Sequence, residues 1–117
     1  SEFAHRANSR HGGSAIFVRN TMTYIPRYDL ALTTDNCESV WLEFDGSCFN
    51  GTKIVLGCIY RSSSSPCHDF CSALDETLTR VNNEHKNTII MGDININIAD
   101  ISDSSCSEYI KCFRGNG

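Results

Sequence analysis

The sequence has no apolar run approaching the roughly 18 residues that a membrane-spanning helix needs, and no signal-peptide h-region near its start. The chain is therefore expected to work inside the cell and away from the bilayer. It has no excess of positive charge: ten Lys and Arg stand against fourteen Asp and Glu, a formal net charge of −4. A module that binds nucleic acid by itself usually presents a basic face, so a strong phosphate-binding surface is not expected here. The imbalance is uneven, with Arg6, Arg10, Arg19 and Arg27 in the first thirty residues against only Glu2 and Asp29. No Cys-x-x-Cys pair occurs. Proline is scarce, two residues in 117, and no segment repeats.

Cysteine, by contrast, is plentiful. The positions are Cys37, Cys48, Cys58, Cys67, Cys71, Cys106 and Cys112. An odd count without a secretory signal argues against a disulfide scaffold, and His68 beside Cys67 lacks the paired spacing of a zinc motif. Small, buried, reduced thiols are the expected reading. His5, His11, His68 and His85 read as solvated surface residues. Asn50-Gly51-Thr52 has the form of a glycosylation sequon but reads as a turn. With 40% hydrophobic and 21% charged residues, the rest has the composition of one globular domain or part of one.

Periodicity sets the elements. Residues 1–11 show no pattern and read as loop. Gly12-Gly13 opens a β-rich run, Ser14 to Arg19, closed by Asn20. Residues 21–37 are ambiguous, and Pro26 excludes a central strand there. Val40, Leu42 and Phe44 alternate with polar Glu43. After the turn dipeptides Asp45-Gly46 and Asn50-Gly51, the run Lys53 to Tyr60 is apolar on both faces, as in a covered central strand. Ser65 can cap a helix with Pro66 in its first turn, and Asp69 suits its positive end. Phe70, Leu74, Leu78 and Val81 then mark one helical face that fades between Asn82 and Lys86. Thr88 to Met91 is a further buried strand, stopped by Gly92-Asp93.

Strand, helix and strand over residues 54–92 form a βαβ unit, whose two strands run parallel. Their C-terminal ends share one rim of the sheet, so Tyr60-Arg61 and Asp93-Ile94-Asn95 are expected together where open α/β sheets place their sites. Asp93 and Asn95 would lie on the same side if the chain stays extended. A carboxylate beside a carboxamide suits a hydrated Mg²⁺ or a water poised near phosphate, with Tyr60 and Arg61 able to donate across the rim. The same residues are also common turn formers. An EF-hand is excluded, because Ile98 and Ser104 stand where that loop needs Gly and Glu.

Gly92-Asp93-Ile94-Asn95 resembles the Gly-Asp-x-Asn motif of the endonuclease/exonuclease/phosphatase (DNase I-like) superfamily. Gly12-Gly13-Ser14-Ala15-Ile16-Phe17-Val18-Arg19, Glu38-Ser39-Val40-Trp41 and Gly57-Cys58-Ile59-Tyr60-Arg61 are similar, in the same order, to segments of LINE-type (non-LTR) retrotransposon endonucleases. Ser107 to Ile110, with Phe113 beyond, looks like the helix that follows. The resemblance implies an α/β fold, part of a DNase I-like sandwich with a mixed sheet, a hairpin and a βαβ unit. It implies Asp93 orienting or deprotonating a water, Asn95 holding that water or the phosphate, and Tyr60 bonding the phosphate. Arg61 matches the pattern as a phosphate contact. For the complete domain it implies Mg²⁺ (or Mn²⁺), DNA as substrate, a reverse transcriptase domain in the same polyprotein, and work in the nucleus.

The departures imply a partial domain over residues 1–117. Nothing before Gly12 resembles the family's metal-binding Glu, and its late Asp and Ser-Asp-His motif would fall beyond Gly117. Ser63-Ser64 replaces the usual Pro-Pro. A fragment that is weak or inactive alone is the expectation. A phosphatase or phosphodiesterase for small esters and a decayed, non-catalytic remnant are the alternatives.

Overall fold

A computed structural model describes residues 2–4, 13–100 and 102–115. His5, Arg6, Arg10 and His11 lie outside them. The chain forms β1 (Glu2–Ala4), β2 (Ser14–Ile16), β3 (Tyr24–Pro26), β4 (Cys37–Phe44), β5 (Ile54–Arg61), α1 (Cys67–Asn83), β6 (Asn87–Asp93) and α2 (Ser104–Gly115). It is a mixed α/β structure. Four strands pair in the order β3-β4-β5-β6, while β1 and β2 pair separately and antiparallel.

The β4–β5 hairpin is in continuous register from Phe44↔Ile54 to Cys37↔Arg61. Its loop turns through Asn50 and Gly51, both at positive φ. β6 pairs with β5 in parallel, as expected of a βαβ unit, from Ile54↔Asn87 to Tyr60↔Asp93. Among the described residues β3 pairs only with β4, so Pro26 lies on an edge strand, where its missing N–H costs no interior ladder bond. Residues 2–4 are strand rather than loop. The Ser14–Arg19 run is shorter than its composition promised, ending at Ile16, and Phe17 beyond it is exposed.

Alternation along β5 separates two faces. Val55, Gly57, Ile59 and Arg61 face α1, where Leu30, Leu32, Trp41, Phe70, Leu74, Leu78 and Val81 complete the larger core. Burying each such aliphatic or aromatic side chain contributes about 1.5–3 kcal/mol. Gly57 is required here: the Trp41 ring lies 2.5 Å from where its Cβ would stand. On the opposite face Ile16 packs with Val40, Leu42 and Phe44, and Leu56 and Cys58 lean against that second cluster.

Two expectations change. β6 is an edge strand, not a buried one, and Ile89 and Met91 on the second face are 49% and 53% exposed. Its apolar character is spent only on the α1 side, through Ile90. Ser65 does not cap α1. Pro66 occupies the cap position and its carbonyl accepts the Phe70 N–H at 3.0 Å.

At the end of the sheet away from the candidate site, Arg27 joins three carboxylates: Glu43 at 2.7 Å, Asp29 at 2.8 Å and Glu84 at 3.1 Å. Lys86 adds a second bond to Glu43, 2.7 Å. The network ties β4 to the segment after β3 and to the α1–β6 turn. Hydrogen bonding by Arg27 lowers the Asp29 carboxyl. Burial alone would raise Glu43, but Lys86 and Arg27 outweigh it and hold Glu43 low.

Candidate functional site

The site is built by the ladder. Because β5 and β6 are parallel and in register, Tyr60 and Asp93 are partners on adjacent strands at the C-terminal rim. β4 runs the other way and contributes Glu38 opposite Tyr60. Glu38, Tyr60 and Asp93 thus form one row across three strands, on the face away from α1, with neighbours about 5 Å apart. Exposure rises along the row: Glu38 is buried, Tyr60 half-buried and Asp93 exposed. Ser14 of β2 lies over the buried end, donating its hydroxyl to the Glu38 carbonyl at 3.4 Å. Burial, with the Glu38 charge adding to it, pushes the neighbouring Cys37 thiol up to about 11.

Gly92 sets how closely this row is packed. Its φ is +141°, and a Cβ there would meet the Ile59 carbonyl oxygen at 1.8 Å. Only glycine permits β6 to approach β5 this closely just before Asp93.

After Asp93 the chain does not stay extended. Asn95 is at φ +52°, its N–H donates to Asp93 Oδ1 at 3.1 Å, and its side-chain Nδ2 donates to the Arg61 carbonyl at 2.6 Å. Asp93 and Asn95 are therefore joined by an Asx turn rather than presented side by side. The turn fixes the Asp93 carboxylate from behind, and an Asn95 amide hydrogen is spent on the end of β5. Asn95 acts here as a positioning residue.

Arg61, expected as a phosphate contact, does not share the face of Tyr60 and Asp93. Arg61 is 5% exposed and alternation turns it to the α1 side, away from Tyr60. Its guanidinium donates to the carbonyls of Ile94 at 3.0 Å, Asn95 at 3.3 Å and Ser65 at 2.5 Å, and lies 5.7 Å above the Phe70 ring. Five fixed donors suit this role: one side chain gathers the loops that follow β5 and β6.

Of the four sequence-chosen residues, Tyr60 and Asp93 share a face, Asn95 supports them, and Arg61 holds the loops from the other side. Glu38 was missed as a site residue although Glu38-Ser39-Val40-Trp41 was noticed. The signal was the hairpin register, which a loop of uncertain length left undetermined.

The described residues do not complete a Mg²⁺ site at this rim. Such an ion usually takes one or two carboxylates together with waters and substrate phosphate oxygens. Asp93 is the exposed carboxylate of the row. Glu38 is buried two strands away, roughly 10 Å by strand spacing. A pocket of about 350 Å³ bounded by Leu78, Asn82, Lys86, Asn87, Thr88, Ile90 and Phe113 lies at the opposite end of β6, so it is not this site. No helix among the described residues is long and apolar enough to cross a membrane.

Fold and rim together define a mixed α/β unit with a candidate polar site at the C-terminal ends of two parallel strands. No family model matches the chain, and no curated protein or solved structure does.

Proposed function

We propose that the chain is part of a DNase I-like sandwich domain, an endonuclease of a non-LTR retroelement that hydrolyses a DNA phosphodiester to prime reverse transcription. The observation that carries this reading is the pairing of Tyr60 with Asp93 on one face of the rim. The strip of Leu56, Cys58, Ile89 and Met91 on that face favours a second layer over the sheet. In the complete domain, Asp93 would orient or deprotonate a water, its carboxylate steered by the Asn95 N–H. The Tyr60 hydroxyl would donate to a non-bridging phosphate oxygen as charge develops there. The working protein would also take Mg²⁺, carry a reverse transcriptase domain and act in the nucleus. Because the rim residues do not complete a Mg²⁺ site, no catalytic step is assigned to the ion.

Alone, the chain is proposed to be weak or inactive. Arg61 and Asn95, two of the four residues the resemblance selects, already hold the fold together. The test is conversion of supercoiled plasmid to nicked circle in Mg²⁺ by the purified chain, with Asp93→Ala as control. Trace nicking that disappears in the variant supports the reading. Robust nicking that depends on Asp93 would show that the site is complete after all. Hydrolysis of a small phosphate ester with plasmid left intact would replace the endonuclease with a phosphatase.

A further inference from the structure

On the helical side of the sheet, α1 and α2 each bring forward two donor side chains one turn apart. Cys67 and Cys71 are four residues apart on α1, and Glu108 and Cys112 are four apart on α2, so each pair shares a helix face. The helices pack so that donor atoms of Cys67, Cys71 and Glu108 all lie within 4.8 Å of one another. The Cys112 thiol lies just outside this group, donating to the Cys71 carbonyl at 3.4 Å and the Glu108 carbonyl at 3.5 Å. His68 Nδ1 lies 2.6 Å from Glu108 Oε1. We propose that Cys67, Cys71, Glu108 and Cys112 form a tetrahedral Zn²⁺ site joining the two helices, with His68 orienting the Glu108 carboxylate.

The spacing fits the ion. Zn–S bonds of about 2.3 Å in a tetrahedron set an S···S edge of about 3.8 Å. The Cys67 and Cys71 sulfurs are 3.8 Å apart. Soft thiolates with one carboxylate select Zn²⁺ over the hard Mg²⁺ proposed for the complete domain. The proposed site requires the Cys112 sulfur to leave the Cys71 carbonyl and turn toward the other three donors. The anionic shell lies at the N-terminal end of α1, where the helix dipole favours negative charge. An open concavity of about 280 Å³, bounded by Cys71, Ser72, Asp75, Glu108, Lys111 and Cys112, gives the ion a way in and places a lysine beside the charge. None of the seven cysteines is paired in a disulfide, so no sulfur of the group is committed to another bond.

Sequence spacing disfavoured zinc because it looked for Cys-x-x-Cys. Two i, i+4 pairs on different helices meet only once the helices are packed.

The experiment is titration of the reduced, metal-free chain with Co²⁺, read by thiolate-to-metal charge-transfer and tetrahedral visible bands, then displacement by Zn²⁺. One equivalent is expected, with bands lost in Cys67→Ser and Cys71→Ser and retained in Cys48→Ser, whose thiol is exposed and elsewhere. Cys71 is buried, so its variant tests fold and ligand together. His68 is exposed, and His68→Ala should keep the fold and weaken Zn²⁺ about 10–100-fold. Absence of stoichiometric bands from the reduced chain, or bands unchanged in both Cys67→Ser and Glu108→Gln, would overturn the site.

Discussion

Replacing Arg61 with methionine separates the role the structure gives it from the role its position in the motif implied. Methionine keeps most of the aliphatic stem but removes the guanidinium together with its contact over the Phe70 ring. Three charge-assisted hydrogen bonds disappear, to Ser65, Ile94 and Asn95. Bonds to a charged group contribute about 1.5–3 kcal/mol each, a gross loss of about 5–9 kcal/mol. Removing a buried cation returns several kcal/mol of desolvation. The net expectation for Arg61→Met is a loss of about 2–4 kcal/mol, or a Tm lower by roughly 8–15 °C for a domain of this size. Thermal unfolding followed by circular dichroism measures it, and hydrogen exchange over residues 94–97 should accelerate in step. A variant that melts within about 3 °C of the parent, with unchanged exchange there, refutes the argument. Loss of phosphate binding with stability intact would return Arg61 to the role of a surface phosphate contact.

Gly92→Ala is expected to cost about 3 kcal/mol or more, because a Cβ would overlap the Ile59 carbonyl and φ +141° is foreign to alanine. Denaturant unfolding reads the loss, and an unchanged midpoint would mean that β6 shifts freely against β5. Glu43 and Asp29 are held below their ordinary pKa by Arg27 and, for Glu43, Lys86 as well, so folding binds fewer protons than unfolding does. Their contribution is complete above the unfolded carboxylate range near pH 4 and fades as pH falls through the lower folded values. Glu43→Gln should cost about 1–2 kcal/mol at neutral pH. The Tm curves of parent and variant should converge as acid protonates Glu43 in the folded state; parallel curves would sink the assignment.

Much of the frame was legible because periodicity reports burial. Phe70, Leu74, Leu78 and Val81 marked the buried face of α1, and Ile54 to Tyr60 marked the central strand. The turn dipeptides and Gly92-Asp93 marked where strands stop. From these alone the parallel pairing of β5 and β6 followed, and with it the meeting of Tyr60 and Asp93. Apolar content could not show that β6 lies at an edge, since Ile89 and Met91 read the same whether or not a layer covers them. The Asx turn at Asn95 follows the turn-forming alternative for Asp93 and Asn95, but its tie to the Arg61 carbonyl, 34 residues away, is not written in the local sequence. The surroundings of Arg61 were hidden for a related reason: strand alternation places it opposite Tyr60, and only the packing of Phe70 shows that side to be closed.

The two seams of β5 differ in how far apart their strands lie along the chain. β4 reaches β5 through a short loop, whereas β6 must return across the whole of α1. Closing the longer connection costs roughly 1 kcal/mol more chain entropy, so the hairpin can assemble early and the parallel seam follows. Tyr60 and Asp93 sit on opposite sides of that later seam. A nascent chain would thus carry a formed hairpin before it brought these two residues together, and any chemistry at the rim would wait on the slower closure.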